Sequence, residues 1–397
     1  MSDTLLVLNT GSSSIKFQLF AISSAEPSRV FKGQIEGIGT QPRMRVADAE
    51  GAVITERAFA SGEAGDVASA MAKLREWLEE HLAGRIPVAV GHRVVHGGPD
   101  FDKPVLINEA VLAELERYVP LAPLHQPNNL APIKRIRELL PEMKQVACFD
   151  TAFHRGHGDL ADRFAIPERL YQEGVRRYGF HGLSYEFIAR RLRGLAPKLA
   201  AGRVVVAHLG SGASLCALKA GRSVDSTMGF TALDGLPMGT RPGQIDPGVL
   251  LYLMDEKGMS GPEISGLLYK ECGLKGLSGI SNDMRDLLAS DDPRAALAVD
   301  FFCYRAAKEI AGLAAVLEGL DGLVFTAGIG EHAPEVRAKI AARLGWLGVG
   351  LDAQANAAGG ERVDLGGGHD GVAVCVIPTD EELMIARHTL ELLETGA

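Results

Sequence analysis

The stretch LNTGSSSIKFQLF, residues 8–20, decides the fold. An apolar run reaches Asn9, breaks into four small residues, and resumes with Ile15, Phe17 and Leu19 alternating with Lys16 and Gln18. Alternation at period two marks a half-buried strand, so the stretch reads as strand, Gly/Ser turn, strand. On such a strand Lys16 shares a side with Ser14 and Gln18 and lies opposite Ile15 and Phe17. Backbone N–H groups in a small-residue turn can hold phosphate oxygens, with the hydroxyls of Ser12 and Ser14 as further donors. Taken alone, Gly and Ser are equally what an ordinary hairpin turn uses. A Walker P-loop is excluded, because GxxxxGK[ST] is absent and no helix follows.

The pattern returns at RVVVAHLGSGASLCALKAGRSVDSTMGF, residues 203–230, where Asn9-Thr10-Gly11-Ser12-Ser13 lines up with His208-Leu209-Gly210-Ser211-Gly212. Two copies of one unit predict duplicated α/β domains facing a common cleft. Between the copies, FKGQIEGI (31–38) is a third strand within an otherwise polar, irregular stretch running to Asp66. VASAMAKLREWLEEHL (67–82) and APIKRIRELL (131–140) have helical spacing. IPVAVGHRVVHGG (86–98) and QVACFDTAFH (145–154) are strands that end in polar groups. DGLVFTAGIGEHAPEVR (321–337) reads as strand, Gly turn and a helix from near Pro334; VAVCVIPTDEELMIARHTLELL (372–393) reads as strand, turn, helix.

With 397 residues, two domains are the natural expectation. The 46% apolar and 23% charged content is that of a globular protein, and a net charge of −9 without a basic run argues against nucleic acid as partner. Five scattered cysteines form no CxxC, which suits a reducing, cytoplasmic setting and offers no zinc site. No apolar run approaches the ~18 residues of a membrane span, and LLVL is too short for a secretory leader.

The candidate chemistry lies in scattered polar groups. Arg93 ends a strand in HRVVHGG, and Arg241 sits in the apolar, Gly-rich loop GFTALDGLPMGTRPG. A guanidinium there is a holder of carboxylate or phosphate, although a strand arginine is commonly a surface charge. Asp150 ends a strand in FDTAFH, where it suits either metal-dependent phosphoryl transfer or a simple turn. His154 and His157 lack partners at ligand spacing and read as plain polar residues, as does His181 in YGFHG taken by itself. HLGSGAS, SNDMRD (281–286) and AGIGEH (327–332) are small or acidic turns suited to nucleotide, none of them specific singly. Their combination in two repeated halves, with Asp150 and Glu381 at turns, points to nucleotide phosphoryl transfer.

NTGSSSIKFQLF, GHRVVHGG, PLHQPNNL, CFDTAFH, RYGFHGLSYE, HLGSGAS, DSTMGFTALDGLPMGTRPGQIDPG, SNDMRD, FTAGIGEH and PTDEELMIA stand in order from Leu6 to the last helix. Together they resemble the acetokinase family of short-chain acyl kinases, within the sugar-kinase, chaperone-ATPase and actin superfamily. The resemblance implies two duplicated βββαβαβα domains of actin/ribonuclease-H-like fold. The first spans 1–149 and is completed by the helix 382–397; the second, nucleotide-binding one spans 150–381. It implies a homodimer and reversible transfer from ATP to acetate, giving acetyl phosphate and ADP, with Mg²⁺ or Mn²⁺. Propionate kinase is the alternative within the class; a sugar kinase or a non-catalytic actin-like module is more distant.

The resemblance also assigns roles. Asn9 and Glu381 match the metal ligands, and Lys16 the lysine beside the nucleotide phosphates, with Ser12 and Ser14 of the same turn as further nucleotide-binding candidates. Arg93 matches the substrate arginine, Asp150 the catalytic aspartate, and His181 with Arg241 the pair that stabilises the transferring phosphoryl group. His208, Leu209, Gly210, Ser211, Gly212, Asp283, Met284, Arg285, Gly328, Ile329, Gly330, Glu331 and His332 match nucleotide-contacting segments. Val95, Leu124, Phe180 and Ala232 match the acyl pocket. Three residues depart from the family pattern: Ser211 and His332 replace asparagines, and Ala232 stands where proline is frequent. The first two bear on nucleotide preference, and the third implies room for a larger acyl group.

Overall fold

The computed structural model describes residues 3–11, 13–22, 26–60, 62–82, 86–123, 125–362, 364 and 371–395. The chain divides into two compact units: Met1–Phe153 with Asp380–Ala397, and His154–Thr379. Among the described residues no helix is long and apolar enough to cross a membrane.

In the first unit, β1 (Thr4–Thr10) and β2 (Ser14–Ala21) form the hairpin read from residues 8–20, with Asn9 paired to Lys16 across it. β3 (Ser28–Glu36) continues the antiparallel run, while β6 (Ala89–Val94) and β8 (Lys144–Phe149) add in parallel on the other side of β1, with the short β7 (Val105–Leu106) antiparallel to β8 at the edge. β1 is continuously apolar from Leu5 to Leu8 because both its faces are buried there. Leu6 and Leu8, with Ile15, Phe17 and Leu19 of β2, meet Met71, Leu74, Trp77 and Leu78 of the helix Val67–His81. Leu5 and Val7 point to the opposite face, where the C-terminal helix Glu381–Thr395 packs against β1 and β6. The helix Val67–His81 starts where a capping box allows it: Asp66 accepts from the Ser69 N–H at 2.7 Å, and Ser69 Oγ accepts from the Asp66 N–H at 3.1 Å.

The second unit repeats this plan. β9 (Arg203–Leu209), β10 (Ala213–Lys219) and β11 (Arg222–Ser226) run antiparallel, and β12 (Gly322–Thr326) and β13 (Ala373–Val376) add in parallel beside β9. The strand order β11-β10-β9-β12-β13 matches β3-β2-β1-β6-β8, so the expected duplication is present in topology as well as in motif.

Two expectations need correction. The stretch to Asp66 is not irregular: it holds a hairpin of β4 (Arg43–Asp48) and β5 (Val53–Ala58) beyond β3. β5 is an edge strand with Val53 and Ile54 more than 40% exposed, so the alternation that betrays a half-buried strand is missing there. Met44 and Val46 do alternate on β4 and were the available signal. The segment AGIGEH is helical rather than a turn, and so is the second half of SNDMRD, from Met284 on. Ala327–His332 forms a helix, and Asp283 caps Met284–Leu288 by accepting from the Arg285 N–H at 2.9 Å.

Candidate functional site

Parallel strands bring their carboxyl ends to one edge of a sheet, which is where open α/β sheets collect ligand groups. β1, β6 and β8 do this in the first unit, and at or just beyond their ends stand Asn9, Arg93 and Asp150. Arg93 donates from Nε and Nη2 to the two oxygens of Asp150, at 2.9 and 2.6 Å, and from Nη1 to Asn9 Oδ1 at 3.3 Å. Glu381 Oε2 lies 3.9 Å from Arg93 Nη1. Burial disfavours the Arg93 charge, but Asp150 and Glu381 more than offset it, and the guanidinium pKa moves up. Burial also pushes the Glu381 carboxyl upward; Arg93 and Lys16 oppose this, while Asp150 and Glu382 add to it.

Further side chains hold this set. Asn9 Nδ2 and Gln18 Nε2 each donate to Glu382 at 3.3 Å, Arg29 Nε donates to Gln18 Oε1 at 2.7 Å, and Arg29 also pairs with Asp380. Asn129 bridges two strand ends, accepting from the Val95 N–H at 2.9 Å and donating to the Thr10 carbonyl at 2.7 Å. Gln126 clasps His96 alone, accepting from its N–H at 3.3 Å and donating to its carbonyl at 3.1 Å. Acids outnumber cations around Asn9, and the donors are hard oxygens, a chemistry that fits a divalent cation of the Mg²⁺ type. Among the described residues no group of three or more His, Cys, Asp or Glu is arranged as a metal cage.

In the second unit His181 precedes the helix Gly182–Leu195 with φ of +57°, a left-handed conformation uncommon for a residue with a Cβ. Its Nδ1 lies 2.8 Å from Ser214 Oγ, which Tyr185 Oη also meets at 2.5 Å, and its ring stacks on His208 at 4.2 Å. His208 in turn meets Ser184 Oγ at 2.8 Å. Nε2 is thereby directed at the turn after β9: a Cβ added to Gly212 would sit 3.2 Å from it and 2.9 Å from Arg241 Nη2. Only glycine leaves that space open. Arg241 donates from Nη1 to the Ala232 carbonyl at 2.7 Å, has no carboxylate partner among the described residues, and is shifted down in pKa by burial.

The three predicted nucleotide segments meet at the end of β9. The Gly239 N–H donates to the Ser211 carbonyl at 3.1 Å, and Cβ positions at Gly239 and Gly210 would approach Asn282 and Ala327. Ser211, Arg285 and His332 are exposed there, whereas the side chains of Leu209 and Met284 are in the core. Glu331 is spent within the fold: its Oε1 accepts from the N–H groups of Ala327 and Thr379 at 2.7 and 3.1 Å. Asp283 is engaged by Arg285 through two nitrogens.

Placement of the acyl-pocket candidates is mixed. Val95 and Phe180 are buried and Ala232 is half-buried, while Leu124 and Ser12 lie outside the described residues. Lys16 is exposed on the Asn9 side of the hairpin, and Ser14 opens β2. The supporting residues Gln18, Gln126, Asn129, Ser184, Ser214 and Glu382 were not singled out by sequence reasoning. The only signal for them was their position inside the quoted motifs.

A model of the acetokinase family matches residues 4–387. An acetate kinase of Nitrobacter hamburgensis is 59% identical over 393 residues, covering 98% of this chain and 96% of the relative. Among solved structures, a propionate kinase from Francisella tularensis superposes with a TM-score of 0.90 at 38% identity, covering 98% of this chain and 100% of its own. An acetate kinase from Porphyromonas gingivalis superposes with a TM-score of 0.86 at 36% identity, covering 99% of this chain and 100% of its own.

Proposed function

The chain belongs to the acetokinase family, and from that premise we propose that it transfers the γ-phosphoryl group of ATP reversibly to acetate, giving acetyl phosphate and ADP. One observation carries the chemistry: Arg241, a buried guanidinium without a carboxylate partner among the described residues, stands beside His181 Nε2 over a glycine turn. A buried cation left uncompensated is costly, and a transferring phosphoryl group would relieve that cost.

The acceptor carboxylate is already ionised near pH 7, so the reaction needs no general base. Asp150 suits another task, since both its oxygens are taken by Arg93. It orients Arg93 to hold the acetate carboxylate. His181 and Arg241 stabilise charge on the equatorial oxygens, and Lys16 adds charge near the nucleotide phosphates. Asn9 and Glu381 would hold Mg²⁺, which supplies neutralisation of phosphate charge when bound. Val95, Phe180, Ala232 and Leu124 serve as acyl-pocket residues, and segments 208–212, 283–285 and 328–332 serve the nucleotide.

Propionate as the preferred acceptor is the second reading, favoured by Ala232 and by the likeness to a propionate kinase structure. A sugar kinase needs a carboxylate able to take a hydroxyl proton, and Asp150 is already engaged. Trapping acyl phosphate as a hydroxamate with ATP and acetate, propionate or butyrate tests all three. The expected result is strongest turnover with acetate and measurable turnover with propionate. No product from any of these acids would overturn the proposal.

We further propose that the protein is a homodimer. The helix Pro247–Asp255 is apolar yet buries none of its residues, exposing Leu251, Tyr252 and Met254. Arg305, on the helix Pro293–Val316, donates to Gln244 just before it, and that second helix exposes Leu297 and Tyr304. A second copy would cover this face. Light scattering should give twice the chain mass, and a monomer at all concentrations would sink the idea.

A further inference from the structure

We propose that His154 is a positioning residue for the reaction, holding the Gly179–Phe180–His181 backbone in the one conformation that presents His181. The effect on turnover rests on the acyl kinase reading above; the geometry does not.

His154 is fully buried in the second unit, and its Nε2 lies 2.9 Å from the Phe180 carbonyl oxygen. A carbonyl only accepts, so Nε2 carries a proton and donates it there. That leaves Nδ1 facing Ser223 Oγ at 2.8 Å, and the same hydroxyl meets His157 Nε2 at 2.7 Å. Ser223 belongs to β11, so the chain of contacts anchors the Phe180 carbonyl to the sheet. The imidazole also forms a floor for the backbone. Gly179 has φ of +74°, and a Cβ there would fall 2.6 Å from His154 Cδ2. Two residues on, His181 is itself left-handed at φ +57°. A left-handed backbone at a residue with a Cβ, as at His181, persists only where the surroundings over-determine it. His154 supplies that constraint from below, while Ser214 and the His208 ring hold the His181 side chain from above.

A buried histidine is more commonly just a satisfied core residue, and the two roles separate by experiment. A leucine would fill the space without a donor; a glutamine would keep an N–H near the Nε2 position. His154→Leu is expected to lower kcat by about 10-fold or more and raise KM for acetate through Phe180, with KM for ATP within about twofold. His154→Gln should recover most of the kcat. In ¹H–¹³C spectra the His181 ring resonances, set partly by stacking on His208, should shift in the Leu variant and return in the Gln variant. A folded His154→Leu with wild-type kcat and an unmoved His181 resonance overturns the proposal. Should neither variant fold, Ser223→Ala decides: a several-fold fall in kcat supports it and unchanged kinetics overturn it. If the wild type forms no acyl phosphate, the functional reading fails instead, and the His181 resonance alone then decides the positioning role.

Discussion

Arg93 offers Nε and Nη2 to the two carboxylate oxygens of Asp150, at 2.9 and 2.6 Å, in a fork-to-fork pair at the parallel end of the first sheet. The pair aims the guanidinium and leaves Asp150, which is 1% exposed, no other evident task. A lysine in place of Arg93 would carry the charge but lose the fork.

Removing one partner of this pair strands the other. Arg93→Ala is expected to destabilise the first unit by about 3 kcal/mol, because Asp150 stays buried without a counter-ion. The double variant Arg93→Met with Asp150→Leu should regain much of that stability and none of the activity. Urea unfolding and kcat/KM for acetate on the same samples check both halves. Regained activity in the double variant would refute the orienting role of Asp150.

Arg241 answers to a different demand. Among the described residues it has no carboxylate partner, and on the proposed function its charge serves the transferring group. Arg241→Ala should lower kcat by about 10²–10³-fold, as for other lost charge-stabilising donors. Steady-state kinetics showing unchanged turnover and only a raised KM for acetate would remove the residue from that role.

Acid should weaken the first unit through His92. Burial pushes its imidazole pKa down to about 4, with Gln145 opposing at 2.8 Å. The unfolded chain takes the proton first, near pH 6.5, so this stability is fully present above pH 6.5 and is lost as the pH falls towards 4. The loss is on the order of 2 kcal/mol by pH 4.5. Urea midpoints at pH 7.5 and 4.5 should differ more in the wild type than in His92→Gln. Equal differences would show that His92 titrates normally.

The hairpin between β10 and β11 carries a removable strain. Ala220 and Gly221 both have positive φ, 52° and 73°, as in a two-residue type I′ turn. Ala220→Asn should raise stability by roughly 0.5–1 kcal/mol, since asparagine adopts the left-handed region more readily. A lowered melting temperature would contradict this.

Much of this was legible because it is local. Alternation at period two, a Gly/Ser turn and its second copy at residues 208–212 are written over a dozen residues each, and they carried the duplicated α/β fold. Arg93 and Arg241 were likewise visible as residue types in telling surroundings, whereas Asp150 suited a simple turn equally well and His181 stood out only through the family resemblance. The β4–β5 hairpin was missed because an edge strand needs no apolar face. AGIGEH was misjudged because its helix depends on caps, such as Glu331 reaching back to the Ala327 N–H, and on buried Arg337 holding the Gly330 carbonyl.

By itself, then, the sequence determined the repeated strand units, the apolar runs and the stock of charged groups, all consequences of backbone period and turn chemistry. Tertiary structure alone decided their partners. Arg93 meets Asp150 because β6 and β8 lie parallel and adjacent, while Arg241 meets no acid among the described residues. His154 is a floor under Gly179 because β11 places Ser223 beneath it. Pairing and desolvation depend on which strands become neighbours, a property of the packed sheet that no short stretch of chain contains.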